Sequence, residues 1–194
     1  MNKFVTSLSL AALVAVTFSA CGGAKPAPAQ EEADFRCRID NQLQPEWVCG
    51  NELIVEGAMT AVGSAPMSKL GMSFTKNEAV NTARSELARQ IQVQVKTKIE
   101  QFARSTGIGD NETAEKVSTQ VSKSVAKTTM VGSKMMKSRQ VGNSLYVLVG
   151  VPEKTVNAAA KKEVKTSMKN DEALWQQFQS KKALDSLEAE FPSD

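Results

Sequence analysis

Histidine is absent from this 194-residue chain, and cysteine (3), tryptophan (2) and tyrosine (1) are scarce. Without imidazole, neither a Ser–His nor a Cys–His nucleophile system can be assembled, and most zinc sites lose a customary ligand. No GxxxxGK[ST] loop or helix-opening GxGxxG occurs; the nearest fragment, GSKMMKS from Gly132, lacks the glycine spacing and sits in strand-like sequence. Calcium-loop patterning is missing as well. Charge of one sign is not concentrated anywhere: 24 basic residues face 21 acidic ones for a net +3, or +2 once Lys3 is removed with a leader. With only 5% aromatic residues and no basic block, nucleic-acid binding has no support. The longest apolar run, Leu8 to Phe18, is about eleven residues, against the roughly twenty that a membrane-spanning helix needs.

What is present begins at the N-terminus. A basic start at Lys3, that short apolar run and the small residues Ser19 and Ala20 lead to Cys21, the arrangement of a lipoprotein signal peptide over 1–20. Small side chains admit the extended backbone to the lipoprotein signal peptidase, and the Cys21 thiol then receives diacylglycerol. Phe18 stands where Leu or Val is usual, and the competing reading is an ordinary signal peptide cut near Ala20. The stretch GGAKPAPAQEEAD (Gly22 to Asp34) has no apolar periodicity and reads as part of a tether over 21–36. Acyl chains contribute about 0.8 kcal/mol per buried methylene, so two or three of them anchor firmly to membrane lipid. Gly22 after the cysteine favours sorting to the outer membrane.

The other two cysteines, Cys37 and Cys49, form an even pair in an oxidising compartment, which reads as a disulfide, the alternative being two buried thiols. Their spacing fits no common metal site. Trp47 beside them is expected to fix the loop to the domain. Downstream, Glu52 to Ala65 predicts a strand bent at Gly57 and Gly63. From Glu78 to Arg104 the apolar positions Ala79, Ala83, Leu87, Ile91, Val95, Ile99 and Phe102 predict a long amphipathic helix, capped by Thr75 or Asn77. A second helix is expected over Asn111 to Lys127 with Asn111 as cap. Thr128–Val141 and Ser144–Val151 read as strands around a Gly142–Asn143 turn. Pro152 stops the sheet, and Val156 to Phe191 is helical with a break near Asn170–Asp171. The expectation is an α+β fold: one small domain over 37–152 with about three antiparallel strands packed on a long helix, and a helical segment over 153–194.

Carboxylate pairs such as Glu78 with Glu86, or Glu112 with Glu115, fall beside Lys and Arg on helix surfaces and read as solvated faces. Ser122–Lys123 and Ser133–Lys134 lack the context of a Ser–Lys hydrolase. No catalytic, cofactor-binding or metal-binding residue is therefore assigned, and the chain reads as non-enzymatic. Binding features remain. Met67, Met72, Met130, Met135 and Met136 either form an adaptable surface or pack beneath the helix. Trp175, Phe178, Leu184, Leu187 and Phe191 either pack back on the domain or dock on a neighbouring subunit.

The segments PEWVCG, GAMTAVGSA, NEAVNTARSELARQIQVQVK and SLYVLVGVP resemble the Helicobacter-type twenty-kilodalton outer-membrane lipoprotein family, to which flagellar basal-disk lipoproteins are related. The most specific piece is AVGSA followed by AxxxARxELARQI, Ala61 to Ile91. The resemblance covers Pro45 to Pro152 and the acylated N-terminus. It implies a dodecin-like domain, a lipid anchor at Cys21, Cys37 and Cys49 as a structural pair, and no catalytic residues. It also implies a homo-oligomer on the surface or facing the periplasm, with envelope or flagellar proteins as partners. A second function class stays open: a periplasm-facing binding module holding a small apolar ligand or cell-wall component between helix and sheet.

Overall fold

The computed structural model describes residues 36–50 and 55–192; Cys21 and nearly all of the tether lie outside them. The first described elements are two short strands, β1 (Arg38–Ile39) and β2 (Gln42–Leu43), paired around Asp40–Asn41. Both turn residues have positive φ (50° and 63°), the requirement of a type I′ hairpin, and Asp and Asn accept it more readily than other side chains. A 3₁₀ turn over Glu46–Cys49 then carries Cys49 back to Cys37, and the two are joined as a disulfide.

The main sheet follows. Strand β3 (Ala58–Pro66) leads into helix α1 (Met72–Thr106) and helix α2 (Asn111–Met130). The hairpin of β4 (Lys134–Val141) and β5 (Ser144–Pro152) comes next, then helices α3 (Glu153–Lys169), α4 (Glu172–Phe178) and α5 (Lys181–Glu190). All strand pairs are antiparallel in the order β3-β5-β4. Val141 pairs with Ser144 across the Gly142–Asn143 turn, where Gly142 takes φ 54°, the first position of a type II′ turn. The expected α+β domain is observed, with its three-stranded antiparallel sheet, long helix and C-terminal helices.

Alternation sorts each strand into two faces. Ala61 and Ala65 on β3, with Leu145, Val147, Val149 and Val151 on β5, are buried in the core shared with α1. Along α1 the buried line recurs every four residues. At 3.6 residues per turn each such step overshoots a full circle by about 40°, so the line rotates by about 200° between Ala79 and Ile99. One flat partner cannot cover such a spiral. The N-terminal part meets β3, where Gly63 lies against Ala79 and Ala83; further on, Glu100 meets Ser118 of α2, Phe102 meets Phe178 of α4 and Ser105 meets Ser186 of α5. The C-terminal helices are thus integral to the core.

Local details depart from the sequence expectations. Helix α1 starts at Met72, not Glu78, after Gly71 at φ 96°. Thr75 does not cap it: its buried hydroxyl accepts from the Ser68 amide at 2.9 Å and ties down the preceding loop. The cap of α2 is Asp110, one residue before Asn111, accepting from the Thr113 amide at 2.8 Å. Thr128–Met130 continue α2 instead of starting a strand; the Thr129 hydroxyl donates to the Val125 carbonyl at 2.8 Å. Gly63 is no bend but a site of close approach. A second break in the C-terminal helices falls at Gln179–Ser180, where Ser180 caps α5 by accepting from the Ala183 amide at 3.2 Å.

Candidate functional site

The outer face of the sheet, away from α1, carries the features that sequence reading singled out. Val62, Tyr146, Leu148 and Val141 lie there and form a second apolar cluster with Cys37, Trp47 and Val48. The disulfide loop is therefore a lid on this face, with Trp47 (7% exposed), Val48 and Cys37 buried against it. Polar bonds fix the lid: the Glu46 carboxylate accepts from the Cys37 amide at 3.0 Å, and Arg139 on β4 donates to Gln44 Oε1 at 2.9 Å. The expected link between the cysteines and the expected role of Trp47 are both present.

Beyond the lid, the same sheet ends in an open groove of about 530 Å³, lined mainly by Ala58, Met135, Met136, Gly150, Pro152 and Thr155. A bulge in β4 between Met135 and Lys137 creates it. The extra residue turns Met136 over Gly150, where an added Cβ would meet its sulfur at 2.5 Å. The methionines divide between the two readings offered for them. Met67, Met130 and Met135 pack against the core, whereas Met72 and Met136 are exposed. Where helices α1, α2, α3 and α4 meet, a cavity lined by Ile99, Ala103, Val117 and Leu174 holds only about 10 Å³. That is at most the volume of one water.

The apolar stripe of the last helices packs back on the domain. Phe178, Leu187 and Phe191 are buried, Trp175 stacks on Phe178 at 5.6 Å, and only Leu184 faces solvent.

The outer face carries Lys137 and Arg139, paired with Leu148 and Tyr146 of β5, and the carboxylates singled out in the sequence lie on the helices. Glu86 grips Arg89 through two hydrogen bonds of 3.0 and 2.6 Å, which hold its carboxyl below the ordinary range, aided by Gln90. Glu78, Glu112 and Glu115 are exposed. Ser122 is buried in helix packing and donates to the Thr119 carbonyl. Ser133 accepts from Arg84 at 3.0 Å, a bond that pins the α2–β4 connection to α1. The partners of this bond lie 49 residues apart in the chain. Among the described residues there is no group of three or more His, Cys, Asp or Glu that could hold a metal ion, and no helix long and apolar enough to cross a membrane.

The chain matches the family described as LPP20 lipoprotein over residues 45–152. That stretch runs from the 3₁₀ turn of the lid through β3, α1, α2 and the β4–β5 hairpin, and stops where α3 begins. No curated protein matches the chain.

Proposed function

Because the chain belongs to the LPP20 lipoprotein family, we propose that it is a non-enzymatic envelope protein of the outer membrane, anchored by acyl chains on Cys21. Residues 1–20 are the leader, residues 21–36 the tether, and the folded domain stands off the bilayer to assemble with copies of itself and with envelope or flagellar proteins. The family match carries this reading, and the Ser19-Ala20-Cys21 ending of the leader supplies the position of the anchor. A core filled by side chains, with its disulfide loop clamped on the outer sheet face, suits a rigid assembly unit. The test is fractionation of cells producing the full chain or Cys21→Ala, with sedimentation of the detergent-solubilised protein over a range of concentrations. A chain that leaves the membrane fraction only in the variant supports the anchor. A strictly monomeric species at every concentration contradicts self-association.

A second reading, a binding module for a small apolar ligand, is favoured by the methionine groove alone. Its volume of about 530 Å³ falls within the range of small-molecule sites. A thermal shift on adding medium-chain fatty acids, abolished by Gly150→Leu, would support it.

A further inference from the structure

The β3–α1 connection and the first turn of α1 expose large apolar side chains that no other described residue covers. Leu70 is 74% exposed, Met72 48% and Phe74 44%. The ten residues Met67 to Lys76 also include Lys69 and Lys76, both exposed, and no acidic residue. The segment is held rigidly. Its start is fixed by the Met67 amide donating to the Asn143 carbonyl at 2.8 Å, and its end by the Ser68–Thr75 bond. Order in an exposed apolar segment means that its surface is presented and not folded away.

Its position in the fold says what it meets. Met67 is bonded to the Gly142–Asn143 turn, and Asp40 at the tip of the β1–β2 hairpin lies against the same turn, 3.0 Å from where a Cβ on Gly142 would sit. The first described residue, Arg36, is four positions before Asp40, within about 14 Å of it by chain length. The polypeptide leading to Cys21 therefore joins the domain at the end that carries Leu70, Met72 and Phe74. From Cys21 to Arg36 the chain spans at most about 50 Å even when fully extended.

We propose that the Met67–Lys76 segment, the β3–α1 connection with the first turn of α1, inserts into the headgroup–acyl boundary of an anionic bilayer, so that the domain docks on the membrane that holds it. This rests on the reading of Cys21 as the acylated residue. Three apolar side chains flanked by two lysines match the chemistry of that boundary, where apolar groups enter and ammonium groups meet lipid phosphates. The anchor supplies the high local lipid concentration that so small a patch needs.

The test uses the full acylated chain purified from membranes, carrying Leu70→Cys or Val131→Cys labelled with an environment-sensitive fluorophore. Acylation of Cys21 and the Cys37–Cys49 disulfide leave the introduced thiol as the only reactive one. Val131 is 90% exposed and precedes β4, at the opposite end of the sheet from the Gly142 turn. The protein is reconstituted into phosphatidylglycerol–phosphatidylethanolamine vesicles with and without nitroxide-labelled lipid, and flotation is recorded first. The expected result is blue-shifted emission at position 70 with about twofold quenching by nitroxide lipid, and neither effect at 131. A chain that floats but is unquenched at 70, or equally quenched at both positions, overturns membrane docking and leaves the anchor intact. Shielding at 70 that grows with protein density but not with nitroxide lipid assigns the segment to a second copy and also overturns it. A chain that does not float removes the anchor and the docking together.

Discussion

Replacing Gly63 with alanine probes the contact on which the sheet–helix packing depends. The φ of Gly63 is not positive, so conformation alone would favour alanine in this strand by about 0.5–1 kcal/mol. Space forbids it: the added Cβ would lie 2.2 Å from the Ala83 nitrogen, 2.4 Å from the Ala79 carbonyl oxygen and 2.7 Å from the Ala83 Cα. All three are backbone atoms of α1, so no rotamer change relieves the overlap. Strand β3 must retreat from the helix by roughly 1 Å, loosening Ala61 and Ala65 against the core. Overpacking of this kind costs about 1–3 kcal/mol, and a clash fixed in backbone belongs at the upper end. The net loss is about 2–2.5 kcal/mol, or a fall in Tm of about 4–10 °C for a domain of this size. Differential scanning calorimetry of Gly63→Ala and Gly50→Ala makes the comparison. Gly50 has open space around it, so its substitution costs only the roughly 1–2 kcal/mol of forcing alanine to φ 78°. Combining Gly63→Ala with Ala83→Gly should not restore stability, because the atoms met are not side-chain atoms. A Gly63→Ala protein with unchanged Tm, or full rescue by Ala83→Gly, would refute the reasoning.

Reducing the disulfide opens a loop whose ends are 12 positions apart and should cost about 3 kcal/mol in the chain-entropy account. Tryptophan emission should shift to the red as Trp47 leaves Leu148 while the far-ultraviolet helix signal persists; loss of both together would mean that the lid and core are one cooperative unit. Phe178→Ala removes the edge contact to Phe102 at a centroid distance of 6.2 Å and should cost about 3–5 kcal/mol in urea unfolding. A cost below about 1 kcal/mol would detach the C-terminal helices from the core. The Asp110 carboxyl is held below its ordinary range by hydrogen bonds from the Thr113 hydroxyl and then the Thr113 amide. A lowered folded-state pKa gives stability that is present above the unfolded value and lost as pH falls through the folded one. Wild type should therefore lose more Tm than Asp110→Asn between pH 5 and pH 2, and parallel curves would contradict the cap.

Much of the architecture was legible because it is written in local patterns. The four-residue recurrence from Ala79 to Ile99 identifies α1, and the β-prone run ending at Pro152 identifies β5. Boundaries were less legible where a side chain has two local uses. Thr75 looks like a cap but bonds backwards to Ser68, and the real cap of α2 is Asp110, one residue before the Asn111 that the sequence suggested. Contacts between distant residues left no local trace. Arg84–Ser133, the fit of Gly63 against Ala83 and the covering of the α1 spiral by α2, α4 and α5 depend on packing that no window of sequence contains. The β1–β2 hairpin went unseen because its strands are two residues each, although Asp40–Asn41 carried the turn. The bulge at Met136, which makes the groove, had no signal beyond a doubled methionine.

Intact mass spectrometry of the protein extracted from membranes, wild type beside Cys21→Ala, tests the central claim most directly. Lipid anchoring predicts a chain that begins at residue 21 with a diacyl or triacyl addition on Cys21, and loss of both the addition and membrane retention in the variant. A chain cut near Ala20 with an unmodified Cys21 would contradict it and leave a domain with no anchor at that position.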